Sequence, residues 1–587
     1  MKKKNQSLNE IFSTADENYK KKDFQTAEIL CNKILNIDPN HFNSLLLLST
    51  IFGIKNNFKR VKELLIKASK IQPNNISVYN NLGVACQALN EFNYALSYYE
   101  KVISIDSNHT NANYNLGLVH KKLGDNKKAK IYLEKTVKVQ QNFALAHFHL
   151  GNLQAEAKEY KKAKISYEAT IKFRPSFPGS YNNLGLVFRL LGNYKEAINS
   201  YKNAIKADPN HAGAYNNLGR AYTELGKFDE AIDAHEKASK NEPNNLYHDF
   251  YLSELKKEYL NLKLTKKTEE ILKKSKSKIN LAFGNFLLSR FKQKEKNYEK
   301  EFEHLIKAHK HYFESQGQKF TLALKYNFDD VLKISNSIKV EKGSTKAASK
   351  VKPIFIIGVP RCGSTLIEKI IGSGKEPILI GEEVSVIEDY INQKILKKKS
   401  MNLGESNILR DEIIQVYKNK GLINKENKYI FTDKTLNNFF YLEMIKKVFP
   451  EAKIINCKRN VLASIMSILQ NNLTELAWAH DVENIFKYFD NYFKIINKFS
   501  KSFPNLIYDL EFEKFVNDPE NESKKLMNFC DLPWDIKCLE YYKRKDMISK
   551  TTSNQQIRKS IYISPIEKYL PYKQLLNEHG KKYSWFN

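Results

Sequence analysis

Five glycines recur at a fixed step of 34 residues, Gly83, Gly117, Gly151, Gly185 and Gly219; alanines keep that step 12 residues later, at Ala95, Ala129, Ala163, Ala197 and Ala231. A period of this length is one supersecondary unit repeated, and such a unit buries its apolar face only against a neighbour. Pro73, Pro175, Pro209 and Pro243 fall at unit ends, with Ser107 and Gln141 in the same slot. Ala27, Val61 and Pro39 carry the phase backward, giving about seven units across residues 7–245. Small residues at two fixed positions let paired antiparallel helices approach closely. Leu184, Tyr194 and Tyr201 fill the space beside them, and proline stops the second helix. The expectation is an all-α solenoid.

The unit YNNLGLVFRLLGNYKEAINSYKNAIKADPN, 181–210, resembles a tetratricopeptide repeat, whose period is also 34 residues. Two residues before each glycine stand Asn81, Asn115, His149, Asn183 and Asn217. In that repeat family the helix carrying them lines a concave groove, so the resemblance makes the asparagines candidates to face a bound protein or peptide. The alternative is that they settle local hydrogen bonds. From 246 to 333 the period fades while helical patterning persists, and 282–314 resembles a degenerate helix pair or cap. The polar, basic stretch 334–352 reads as a linker.

At 587 residues the chain exceeds what one core organises, and 42% apolar with 12% aromatic content is globular. A formal charge of +30 raises nucleic acid as a partner, but the excess is mostly lysine spread along the chain, with no reading motif beside it. No nucleic acid is expected; anionic ligands are favoured. The six cysteines show no C-x-x-C pair or metal-type spacing and read as free thiols in a reducing compartment. The start has basic residues without an apolar core, and no apolar run approaches 18 residues. A cytoplasmic protein without a membrane span or a metal is the expectation.

From residue 353 short apolar runs alternate with helical stretches. Candidate strands are Ile354–Ile357, Ile378–Ile380, Tyr429–Thr432, Lys453–Cys457 and Leu506–Tyr508. The pattern indicates an α/β domain over 353–587 with a mostly parallel sheet. Within IFIIGVPRCGSTLIEKIIG, 354–372, Gly358 and Gly363 have the spacing of a phosphate loop and Thr365 stands in its hydroxyl position, but Ser364 replaces the lysine. The backbone amides of residues 361–365 and the helix start still suit an anion. A grip on the β- and γ-phosphates of a nucleoside triphosphate is disfavoured, and a P-loop kinase with it.

VPRCGSTLIEKII resembles the 5′-phosphosulfate loop of sulfotransferases, which use 3′-phosphoadenosine 5′-phosphosulfate (PAPS). The nearest likeness is to the tyrosylprotein branch and its bacterial relatives with tetratricopeptide repeats. The resemblance implies that Arg361, Cys362, Gly363, Ser364 and Thr365 hold the 5′-phosphosulfate. In ILIGEEVSVI it makes Glu383 the general base, and in FTDKTLNNFF it brings Lys434 to the bridging oxygen of the donor. In CKRNVLASIMSIL it gives Arg459 and Ser467 to the 3′-phosphate, and TTSNQQIRKSIY resembles a closing loop with Ser553, Arg558 and Lys559 as contacts. These residue types fit sulfuryl transfer, which needs in-line positioning, cations for the leaving group and a base for the acceptor hydroxyl. Glu382 or Glu383 also reads as a helix cap, and Lys434 alone as a surface lysine.

The chain departs from the family at three points. Phe512 occupies a tyrosine slot that Tyr508 does or does not replace, Asn460 follows Arg459 where the family often has aspartate, and Asn471 replaces a basic residue. His480, on a probable helix, reads as structural. The leading expectation is a PAPS-dependent sulfotransferase acting on a hydroxyl, with tyrosine of a protein recruited by the repeats as the family-weighted acceptor. The competing one is a non-catalytic repeat scaffold whose α/β domain senses a nucleotide.

Overall fold

The computed structural model describes residues 7–343, 351–375, 378–398, 400–423, 429–544, 555–561 and 569–586. They form two compact units, Met1–Asn217 and Leu218–Asn587, and the division falls inside the helix Ala212–Leu225.

The first unit consists of antiparallel helix pairs, from Leu8–Lys20 with Phe24–Ile37 to Pro178–Leu190 with Tyr194–Ala207. Caps follow the period: Asp23, Asn57 and Asp125 each accept the amide three residues on, satisfying an orphan donor of the first turn. Sterics explain the glycine column. A Cβ at Gly83 would stand 2.4 Å from the Tyr99 ring, and Leu133, Tyr167 and Tyr201 make the same approach to Gly117, Gly151 and Gly185. Gly83→Val therefore overpacks the helix pair by about 1–3 kcal/mol. The expected result is a lower midpoint for the repeat unit in thermal denaturation; an unchanged midpoint would contradict this packing account. Two members of the asparagine column bond to asparagines of the preceding repeat that stand outside it. Asn183 Nδ2 donates to Asn152 Oδ1 at 2.9 Å, and Asn217 Nδ2 to Asn182 Oδ1 at 2.9 Å, tying successive repeats.

The second unit opens with helices that include Phe228–Asn241, Leu246–Leu255, Lys278–Lys294 and Tyr298–Gln316. Leu246, Phe250, Phe286, Leu305 and Tyr312 share one buried cluster with Ile354, Phe355, Ile356 and Ile357. Among the described residues six strands follow: β1 (Lys339–Glu341), β2 (Lys352–Gly358), β3 (Asn402–Glu405), β4 (Ile430–Asp433), β5 (Lys453–Lys458) and β6 (Ile507–Glu511). The main sheet is parallel throughout, in the order β4-β2-β5-β6, and β1 pairs in parallel with β3. Strand β2 lies between neighbours on both sides, and its residues after Lys352 are buried, as a covered parallel strand requires.

Two readings need correction. Ile378–Ile380 is not a strand: Leu379 makes a single bridge to Phe431, and the next amide, Gly381 N–H, bonds to the Thr432 hydroxyl instead of a ladder carbonyl. The 334–352 stretch is not linker throughout, since β1 lies inside it; its partner β3 has Gly404 at φ +103° and no alternating pattern to announce it.

Candidate active site

Each strand of the main sheet ends in a residue of one cavity, where open parallel sheets bind ligands. The loop after β2 supplies Arg361, Gly363, Ser364 and Thr365; Lys434 follows β4, Arg459 follows β5 and Phe512 follows β6. Glu383 and Ser467 line the same cavity, whose volume is about 1330 Å³. Its opposite wall comes from the helices that open the unit, through Arg220, His235, Tyr251 and Arg290.

The loop is tightly shaped. Arg361 has φ +70° and Gly363 φ +94°, and a Cβ at Gly363 would lie 2.3 Å from the Phe512 ring. Only glycine combines that backbone with that approach. The helix Ser364–Ile371 starts immediately afterwards; Leu366 N–H and Ile367 N–H bond to the Gly363 carbonyl, which leaves the Ser364 and Thr365 amides, ahead of any intrahelical carbonyl, at the cavity wall. Arg361 Nε donates to Ser467 Oγ at 2.9 Å, and Arg459 donates to the Arg361 carbonyl at 2.9 Å. The Arg459 guanidinium also lies over the Phe512 ring, 5.1 Å from its centroid. Cys362 is buried beneath the loop and does not line the cavity. Its thiol is brought down to about 7 by a hydrogen bond from Cys457, against the opposing effect of burial.

The second cluster surrounds Lys434, only 1% exposed, with Nζ 3.4 Å from Glu383 Oε1 and 3.9 Å from Glu382 Oε1. Burial works against its charge, but Glu383, Glu382 and Glu368 outweigh it and hold the lysine above its ordinary range. Glu383 is 58% exposed and Glu382 only 10%. The turn that presents Glu383 is fixed from β4: Lys434 N–H donates to the Gly381 carbonyl at 3.1 Å, Gly381 N–H to Thr432 Oγ1 at 3.1 Å, and Ser385 N–H to Thr435 Oγ1 at 2.8 Å. Glu383 itself has φ +50°, an unusual left-handed backbone for a glutamate.

Two expected contacts lie elsewhere, and a third is not among the described residues. Arg558 donates to the Glu224 carbonyl at 2.9 Å, Lys559 is exposed, neither side chain lines the cavity, and Ser553 falls outside the described residues. Tyr508 does not stand in for Phe512: it stacks on Phe529 away from the cavity, where burial raises its hydroxyl to about 12. Asn460 caps the helix Val461–Leu469 by accepting Ala463 N–H, a task aspartate and asparagine perform equally well. His480 is packed inside the unit, 3.0 Å from His309, and burial pushes it down to about 2. The residue that sequence reasoning missed is Glu368, on the helix after the loop. It is wholly buried and accepts Thr432 Oγ1–H at 2.7 Å. A glutamate beside Lys369 in TLIEKII reads as solvent-facing, so only packing exposes its position.

Residues 353–536 match the sulfotransferase family, and 76–109, 110–143 and 178–241 match tetratricopeptide repeats. The chain carries a sulfotransferase-family domain behind a tetratricopeptide-repeat array. An uncharacterized protein of Aquifex aeolicus (strain VF5) is 30% identical over 311 residues, a match covering 50% of this chain and 40% of that protein. Protein-tyrosine sulfotransferase A of Caenorhabditis elegans is 25% identical over 278 residues, 42% of this chain and 67% of its own. Among solved structures, that of the MamA protein is 27% identical with a TM-score of 0.28, covering 29% of this chain and 93% of its own. The sulfotransferase-family match begins inside the second unit, next to β2, and includes the loop, the Glu383 turn, Lys434, Arg459 and Ser467. No helix among the described residues is long and apolar enough to cross a membrane.

Proposed function

We propose that the sulfotransferase-family domain moves a sulfuryl group from PAPS to an acceptor hydroxyl, and that the repeats recruit the acceptor as a protein or peptide, with tyrosine as the acceptor residue. The observation that carries this reading is the convergence, beside the strand ends in one cavity, of an anion loop without a lysine, the cations Arg361, Lys434 and Arg459, and the half-exposed carboxylate Glu383. The glycine-shaped loop with its first-turn amides suits the 5′-phosphosulfate, and the cavity is large enough for a nucleotide beside an acceptor.

In this reading Glu383 takes the acceptor proton as the acceptor oxygen bonds to sulfur, and the bond from sulfur to the 5′-phosphate oxygen breaks. Lys434 and Arg361 meet the negative charge that gathers on the leaving phosphate, while Arg459 and Ser467 hold the 3′-phosphate. The products are the sulfated acceptor, adenosine 3′,5′-bisphosphate and the proton on Glu383. Asn81, Asn115, Asn183 and Asn217 remain the candidate partner contacts of the array, the last two through amides that also brace neighbouring repeats. A cytoplasmic setting fits six buried, unpaired cysteines.

Calorimetric titration tests the donor assignment. Adenosine 3′,5′-bisphosphate is expected to bind and ATP with magnesium to fail. Arg459→Ala removes both the 3′-phosphate cation and the bond to the Arg361 carbonyl, and weakens bisphosphate binding about 100-fold. Equal affinity for ATP, or an unaffected Arg459→Ala, rejects the assignment. Binding without any transfer to lysate proteins in a radiolabelled PAPS assay would favour the nucleotide-sensing scaffold.

A further inference from the structure

Lys434 faces three carboxylates beside the loop that carries Arg361, in a cavity that Arg459 also lines. Two of them reach its Nζ from the turn, Glu383 in solvent and Glu382 nearly buried. The third, Glu368, comes from the helix behind the loop, is 0% exposed, and leaves its Oε2 without a hydrogen-bond partner. Its Oε1 accepts from Thr432 Oγ1, which in turn accepts Gly381 N–H, so the carboxyl begins a relay that ends at the turn presenting Glu383.

We infer that Glu368 is a positioning residue that fixes the Gly381–Glu383 turn through Thr432, and that it takes up a proton from solvent when an anionic nucleotide binds beside Lys434. The inference rests on the donor-site reading above. Around Lys434 carboxylates outnumber the lysine before any ligand arrives, and a phosphate-bearing ligand adds negative charge. Glu383 is more than half exposed to solvent. Glu368 is sealed from solvent and has no donor on Oε2, so neutralising it relieves the crowding at least cost. Burial raises this carboxyl to about 7; Lys434 and then Lys369 on its own helix oppose that, Glu382 from the turn adds to it, and the Thr432 hydroxyl lowers it. From β5 the Cys457 thiol faces it, held well above its usual range by its hydrogen bond to Cys362 and by burial.

The test compares the full-length wild type with Glu368→Gln, which keeps an acceptor for Thr432, and with Thr432→Val, which breaks the relay. Adenosine 3′,5′-bisphosphate is titrated between pH 6 and 8.5 in two buffers of different ionisation enthalpy. The wild type is expected to absorb a fraction of a proton near pH 7 and to lose about tenfold in affinity toward pH 8 relative to Glu368→Gln. The ligand's own phosphates titrate alike in both proteins, so identical proton uptake in the variant overturns the proton-store role. Thr432→Val is expected to lower PAPS turnover at unchanged bisphosphate affinity; undiminished turnover overturns the positioning role. A ligand-free arm stands apart from the donor reading. A carboxyl raised on folding stabilises the native state at low pH, and that contribution is lost as pH rises through about 7. The melting temperature of the wild type should therefore fall behind that of Glu368→Gln across that range, and parallel curves reject the inference. Absence of bisphosphate binding by the wild type at every pH sinks the donor assignment and leaves this arm to decide the titration.

Discussion

Glu383→Gln lowers PAPS-dependent sulfuryl transfer about 10³-fold while leaving adenosine 3′,5′-bisphosphate affinity within about twofold. The substitution keeps the side chain's length and its reach to Lys434, and removes only the ability to accept a proton. Glu383 is the one of the three clustered carboxylates that is more than half exposed at the cavity wall, so an acceptor hydroxyl can reach it; Glu382 is 10% exposed and Glu368 is sealed. Lys434 Nζ stands 3.4 Å from its Oε1. Incorporation of radiolabelled sulfate into lysate protein, read beside calorimetric binding, separates the base from a donor-binding residue. Wild-type transfer by the variant would eliminate the assigned base.

Lys434→Met is expected to abolish transfer and to destabilise the second unit as well. Removing one member of a buried charge group strands its partners, at about 3–5 kcal/mol for a fully buried pair. The half-exposed Glu383 adds little to that sum because solvent screens it. The cost falls on Glu382 and Glu368, and it depends on pH. Below about 7 Glu368 carries a proton and needs no cation; above it the stranded carboxylate must ionise or pull its titration higher still. Urea unfolding should show a loss of about 3 kcal/mol at pH 8 and a clearly smaller one at pH 6. Equal losses at the two values would mean that Lys434 is not compensating a titrating neighbour.

The readable parts of this chain are those whose physics is local or periodic. The 34-residue step announces helix pairs because packing on glycine recurs with each unit, and Gly83 against Tyr99 displays the same contact as Gly185 against Tyr201. The loop is legible because it follows an apolar run and keeps phosphate-loop spacing; Lys434 and Arg459 were reached only through the family resemblance, and both stand just past strand ends, where a parallel sheet places its ligand groups. Glu368 was not legible, since its burial depends on how a short helix docks on the sheet, where Thr432 of β4 meets the carboxyl. Neither was the helical wall of the cavity. His235 did leave a mark: it stands in the column of Tyr99, Leu133, Tyr167 and Tyr201, and the ring that packs on Gly219 is an imidazole lining the cavity. Arg558 stood as a nucleotide contact because TTSNQQIRKSIY resembles the family's closing loop, yet its guanidinium rests at Gly226 and the Glu224 carbonyl.

The continuous core that joins Phe250, Phe286 and Tyr312 to the buried strand Ile354–Ile357 has a practical consequence for anyone dividing this polypeptide. The point where the sulfotransferase-family match begins, residue 353, is not a point where the chain can be cut. A shortened chain starting there would bare the apolar side of its own sheet domain and forfeit Arg220, His235 and Tyr251, so the smallest self-sufficient fragment must reach back to the start of the second unit, ahead of Arg220.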